Sequence, residues 1–171
     1  MKRISIIILL FFGAVTVKAQ IPQPDPDTTA KHFLIVASIG NLQEVSASEQ
    51  AVQKAKRSEV RSFGQMMVKD HGDAEQKLLA LAKATGYNLP AAATGGIQPD
   101  LSLKNAANAF DWLYVHAMVV NHANTVLTFE NYAVTGKDPA VKAFAQEMLP
   151  ALQAHLKAIK AIDAQLNQSA Q

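Results

Sequence analysis

The chain has 171 residues, a length that suits one domain. Nearly half of them (49%) are apolar and only 18% are charged, so a full hydrophobic core is within reach, and the 6% aromatic share leans towards helix. With no cysteine and a formal net charge of only +2, the composition excludes a disulfide framework and offers no basic block for nucleic acid.

The first element is MKRISIIILLFFGAVTVKAQ. Lys2 and Arg3 precede an apolar run from Ile4 to Val17, and Val17-Lys18-Ala19 is a small-x-small cleavage site. This reads as a secretory signal peptide, residues 1–19, with an apolar run too short for a comfortable membrane span. The expected location is therefore periplasmic or secreted, with no membrane span after cleavage. No cysteine follows, so a lipid anchor is not expected. Removing Lys2, Arg3 and Lys18 takes the 16 basic residues to 13 against 14 acidic ones, a net charge of −1. Neither nucleic acid nor an anionic membrane surface is an expected partner. An envelope protein partner remains open, as does the oligomeric state.

Residues 20–28 form a proline-rich leader (IPQPDPD, 21–27). A bundle domain is expected over 29–166, with a short tail at 167–171. The first helix is expected over about 28–55 and the second over about 58–85, stopped by Gly86. YNLPAAATGGIQPD (87–100) is a long connection. The third helix is expected from Leu103 to Val134, before Gly136. Asp138-Pro139 is an N-cap followed by proline at the first helical position, so the fourth helix starts there and runs to about Leu166. No segment alternates as a strand would. VRSFGQMM (60–67) and VKAFAQEM (141–148) echo one another at the openings of helices two and four. The chain thus reads as all-α: two helical hairpins of one design.

Each helix carries an apolar stripe at steps of three and four. In helix one it is Phe33, Ala37, Gly40, Glu44, Ser48, Ala51 and Ala55. In helix two it is Val60, Gly64, Met67, His71, Ala74, Leu78 and Leu81. Helix three offers Tyr114, Met118, His122, Val126, Phe129 and Ala133, with a rival stripe through Phe110, Leu113, Val120 and Leu127. Helix four offers Val141, Ala145, Met148, Leu152, His155, Ile159, Ile162 and Leu166, with Pro150 expected to kink it before His155.

One ionisable group interrupts each stripe. At about 1.5 Å of rise per residue, Glu44, His71, His122 and His155 all fall near mid-height. Buried there, they must satisfy one another, water or an ion. Three imidazoles and a carboxylate suit a single transition metal such as zinc, copper or iron. Asp70, Glu75, Asp111 and Tyr114 flank them and are the candidates for orienting the imidazoles. The alternative is a proton-sharing network that only fixes helix register. His32 and His116 read as solvated, the methionines as core fillers, and Trp112 as a candidate contact surface. There is no nucleophile elbow, phosphate loop or HExxH, so no enzyme activity is expected.

The residues from Phe33 through Ala37 and Gly40 to Glu44, the Asp70-His71 pair, Phe110-Asp111 with Tyr114, Met118-Val119 and His122, and the Asp138-to-Leu156 run together resemble one family. It is the exported family named domain of unknown function 4142, often labelled predicted outer membrane protein. The resemblance covers about residues 29–166. It implies a ferritin-like four-helix bundle built from two helical hairpins joined by a long connection, which suits residues 86–102. The chain has no Glu-x-x-His, the pair by which di-iron bundles hold their metals, so di-iron chemistry is not expected. Two functions stay open: a metal-binding envelope protein, or a non-catalytic structural or partner-binding protein.

Overall fold

The computed structural model describes residues 28–94 and 101–169. The expected signal peptide and leader before Thr28, residues 95–100 of the connection and the last two residues of the expected tail lie outside the described residues. Among the described residues, five α-helices follow in order: α1 Thr28–Lys54, α2 Ser58–Thr85, α3 Leu101–Lys104, α4 Phe110–Thr135 and α5 Pro139–Ser169. Four of them are long and make the bundle. α3 is a single turn within the connection.

The ends form where their chemistry dictates. Gly86 closes α2 in the left-handed conformation (φ 78°), its N–H reaching the carbonyls of Ala82 and Lys83, a geometry that a Cβ would strain. Asp138 caps α5, its Oδ1 accepting from the N–H groups of Ala140 (2.9 Å) and Val141 (3.1 Å). Asp111 caps α2 from a distance, accepting from the backbone N–H groups of Lys56 (3.1 Å) and Arg57 (2.8 Å).

Two expected boundaries differ. The third helix does not start at Leu103. Leu101–Lys104 is separate, a 3-10 turn spans Ala107–Ala109, and α4 starts at Phe110. Ala107 holds φ at 46°, which no continuous α-helix allows. The break lets the chain bend over the end of the first hairpin, where Lys54 Nζ donates to the Lys104 carbonyl and Lys56 Nζ to Asn108. At the other end, α5 passes Leu166 and continues to Ser169, since no glycine or proline follows Leu166 to stop it. Pro150 lies inside α5 with its ring side exposed, and the helix continues on both sides.

Helix directions follow from cross-bundle contacts. Phe33 stacks on Tyr132, and Lys54 lies over the Phe110 ring, so α1 and α4 are antiparallel. Asp70 meets His155 and Lys77 meets Glu147, so α2 and α5 are antiparallel too. α2 and α4 therefore run the same way. The chain must return the length of the bundle between them, and its described parts on either side of residues 95–100 lie against α1. Ser38 bonds the Ala93 carbonyl and Lys54 bonds that of Lys104, levels about 24 Å apart on the helix. This single crossover is the ferritin-like arrangement of two hairpins joined by a long connection.

The core divides in two. One apolar cluster holds Phe33, Leu78, Phe129 and Phe144, and the other holds Val60, Met67, Tyr114 and Ile159. On every long helix the boundary between them falls at one residue: Glu44, His71, His122 or His155. Gly64 brings the first hairpin's helices close, since a Cβ there would lie 3.0 Å from Ala51 Cβ and 3.1 Å from the Ser48 carbonyl oxygen.

Candidate metal centre

The polar layer is assembled from all four long helices, and each of its members is buried. In α4 the stripe through Tyr114 and Met118 faces inward and buries His122 completely, while Val120 and Leu127 of the rival stripe are exposed. The three imidazoles form a nearly equilateral triangle, with ring centroids 5.5–5.7 Å apart. Each brings one ring nitrogen within 4.8 Å of the others. Glu44 sits at the triangle's edge. Its Oε2 lies 3.1 Å from His71 Nε2 and 3.3 Å from His122 Nε2.

The opposite ring nitrogens are held by acceptors. His71 Nδ1 donates to Asn41 Oδ1 (2.9 Å), and Asn41 Nδ2 donates to Glu75 Oε2 (3.1 Å), which fixes the amide's orientation. His122 Nδ1 donates to the Met118 carbonyl (3.1 Å), and His155 Nε2 to Asp70 Oδ2 (3.0 Å). Each imidazole is thereby pinned in tautomer and ring angle. Among the described residues, Glu44 Oε2, His71 Nε2, His122 Nε2 and His155 Nδ1 are buried with no protein hydrogen bond of good geometry.

These contacts are not ion pairs at neutral pH. Burial pushes the Glu44 carboxyl up to about 8. Burial, reinforced by the charges of His122 and His155, pushes His71 down to about 3. Burial and the charge of His155 lower His122 to about 4. A protonated Glu44 thus faces two neutral imidazoles, and its one proton can serve only one of the two Nε2 atoms. Burying unserved polar atoms costs on the order of 1–3 kcal/mol each. A divalent cation replacing that proton would engage them together.

The flanking residues divide. Asp70 touches His155 directly. Glu75 acts one step removed, through Asn41, and also lies 2.5 Å from Ser38 Oγ, which bonds the Ala93 carbonyl as well. One hydroxyl hydrogen cannot serve both acceptors. Burial raises the Glu75 pKa, and a proton on Oε1 resolves the conflict. Tyr114 is fully buried, with its hydroxyl 2.8 Å from Ser48 Oγ rather than on an imidazole, and burial raises its pKa further. Asp111 stays at the α2 cap, away from the triangle. Ser38 and Asn41, not foreseen in the sequence, are buried members of this network. Their signal was a polar side chain one step off the helix-one stripe. His32 and His116 are exposed, as expected.

Two small cavities adjoin the triangle. One of about 50 Å³, bounded by Asp70, His71, Met148, Leu152 and His155, faces the α2–α5 side. The other, about 30 Å³, touches Gly40, Asn41, Glu44 and His71 on the α1–α4 side, room for about one water.

An all-helical bundle with one crossover and a buried His/Glu layer is thus defined. The chain matches the family described as domain of unknown function (DUF4142) over residues 15–162, and it belongs to that family. No curated protein matches it. Among solved structures, CopM in the Cu(I)-bound form superposes with a TM-score of 0.68 at 16% identity, covering 80% of this chain and 96% of that one. CopM in the Cu(II)-bound form gives 0.67 at 17%, covering 80% and 97%. A DUF305 fragment from Deinococcus radiodurans gives 0.65 at 12%, covering 83% and 99%. At these identities the likeness is one of fold. Among the described residues, no helix is long and apolar enough to cross a membrane.

Proposed function

We propose that the protein is exported by its N-terminal signal and binds one transition metal ion at mid-bundle. His71 Nε2, His122 Nε2, His155 Nδ1 and Glu44 Oε2 are the donor atoms. The observation that carries this reading is the set of three convergent buried imidazoles, each with its other nitrogen pinned, together with Glu44 Oε2 within 3.3 Å of two of them, all four donor atoms lacking a hydrogen bond of good geometry. Three imidazoles and a carboxylate suit zinc(II), copper(II) or iron(II). CopM, with the same fold, was captured with copper and with silver, so copper is the first ion to titrate. A bound ion supplies charge to the layer. The chain supplies three imidazoles of fixed tautomer and an enclosure of apolar residues above and below.

Metal content of the purified protein, followed by titration with zinc, copper and iron under thermal-shift readout, tests this. One equivalent bound with a raised melting temperature is expected, and His71→Leu should abolish it while the helical circular dichroism is kept. No stoichiometric metal and no thermal shift would overturn the reading.

The direct contacts of Glu44 Oε2 with His71 Nε2 (3.1 Å) and His122 Nε2 (3.3 Å) favour a second reading, in which the layer only sets helix register and the outer surface binds an envelope partner. It expects His71→Leu to be neutral or stabilising with partner binding retained.

A further inference from the structure

Charge is distributed unequally around the bundle. The outer faces of α2 and α5 carry ion pairs such as Lys69–Asp73 and Lys77–Glu147. α4 has no Asp, Glu, Lys or Arg from Trp112 through Phe129, and Glu44, which points inward, is the only one in α1 between Lys31 and Glu49. The large apolar side chains exposed among the described residues, Val36, Trp112, Val120, Leu127 and Val134, all belong to α1 and α4. Leu127 and Val134 are 64% and 75% exposed.

A helix with one core-facing stripe normally solvates its other side. α4 instead has a second seam. Val120, Leu127 and Val134 recur every seven residues, and Ala117, Asn124 and Asn131 precede each by three. That is the a/d spacing of a helix–helix contact, with asparagines at the positions that set register. Trp112 and His116, their rings stacked at 5.2 Å, extend it towards the start of α4.

We propose that this face is the seat of a second copy of the chain, with α4 packed against α4 about a two-fold axis. An uncharged face meets its own copy without like-charge repulsion, and amide side chains at the seam bond to one another across a two-fold. The size fits. The 26 residues of α4 extend about 39 Å. With the adjoining edge of α1, roughly 20 Å wide in all, the face offers about 800 Å², one partner's share of a standard stable interface. From Trp112 through Phe129 the face carries no lysine or arginine to hold an anionic lipid surface, and the cations Lys137 and Lys142 lie at the end of α4. The dimer also covers a surface groove of about 290 Å³ between α1 and α4 that reaches Glu44 past Val36, Asn124 and Thr128. The polar layer is then approached from the Asp70 and Met148 side alone. This inference stands whether or not a metal binds.

The purified protein should sediment in the analytical ultracentrifuge with twice the monomer mass, and Leu127→Glu should sediment as a monomer with unchanged helical circular dichroism. Because the chain has no cysteine, single-cysteine variants at Asn124 and Leu127 should cross-link on oxidation, and one at Lys160 on α5 should not. A monomer at the highest soluble concentration overturns the proposal. So does a dimer that survives both Val120→Glu and Leu127→Glu, and so does a monomer that instead cosediments with phospholipid vesicles.

Discussion

Glu44 governs how the polar layer responds to protons. With its carboxyl pushed up to about 8 by burial, and with His71 and His122 pushed down to about 3 and 4, entry of the proposed metal near neutral pH would displace one proton among these three groups, and it would come from Glu44. Apparent metal affinity should therefore rise about tenfold per pH unit up to about pH 8 and then level off. Competitive titration against a chelator across that range checks it, and a flat profile would show that Glu44 stays protonated in the complex. Two aspartates make a further contrast. Asp70→Asn removes a charged acceptor from His155 and should weaken metal binding about 10–100-fold with little loss of stability. Asp111→Asn weakens the cap on α2, and Asp111→Ala should cost about 1 kcal/mol in urea denaturation with metal affinity unchanged. The sequence made the four inward ionisable groups legible because three-and-four spacing is a strong signal. It blurred Asp111, which lies eleven residues before His122, about 16 Å along the axis, too far to orient its ring. Ser38 and Asn41 escaped because short polar side chains on a helix edge look solvated until a neighbouring helix covers them.

At the scale of elements, close approach within the first hairpin places Glu44 beside His71. Gly64 permits it, with Ala51 Cβ and the Ser48 carbonyl on the facing helix. Gly64→Val should push α1 and α2 apart and cost roughly 1–3 kcal/mol, despite valine's better helix propensity. Urea denaturation measures the loss, and the same variant should weaken metal binding by spreading Glu44 from His71. Helix ends marked by glycine or by aspartate-proline were readable, as Gly86 and Asp138 show. The start of the third helix was not. KNAANA, residues 104–109, contains good helix formers, and the break there comes from tertiary demand: Lys54 and Lys56 take the Lys104 carbonyl and Asn108 as the chain bends over the hairpin. The order of the hairpins around the bundle was likewise beyond the sequence, because mid-height residues stay level whether the second hairpin is stacked up or down.

For the molecule as a whole, the layer sets the pH of greatest stability without metal. Between about pH 4.5 and 6.5 the unfolded chain holds two histidine protons that the native state rejects, opposed by the protons that native Glu44 and, while it stays protonated, Glu75 retain, so stability holds level or rises with pH. From 6.5 to about 8 the native state alone keeps the Glu44 proton, so stability falls with pH. Chelator-treated protein should therefore melt highest near pH 6.5, as thermal scans in a buffer series would reveal. Glu44→Gln should remove the decline above that pH.

The crossover carries a consequence for how the chain reaches its native state. Each hairpin is contiguous in sequence and closes through local contacts, which form fast. Glu44 and His71 belong to one hairpin, His122 and His155 to the other. The four groups meet only when the finished hairpins dock, after the connection has been laid along α1. The proposed ion, bridging them, would act on the last step of assembly and the first of disassembly. Its removal should quicken unfolding and leave the refolding rate nearly untouched.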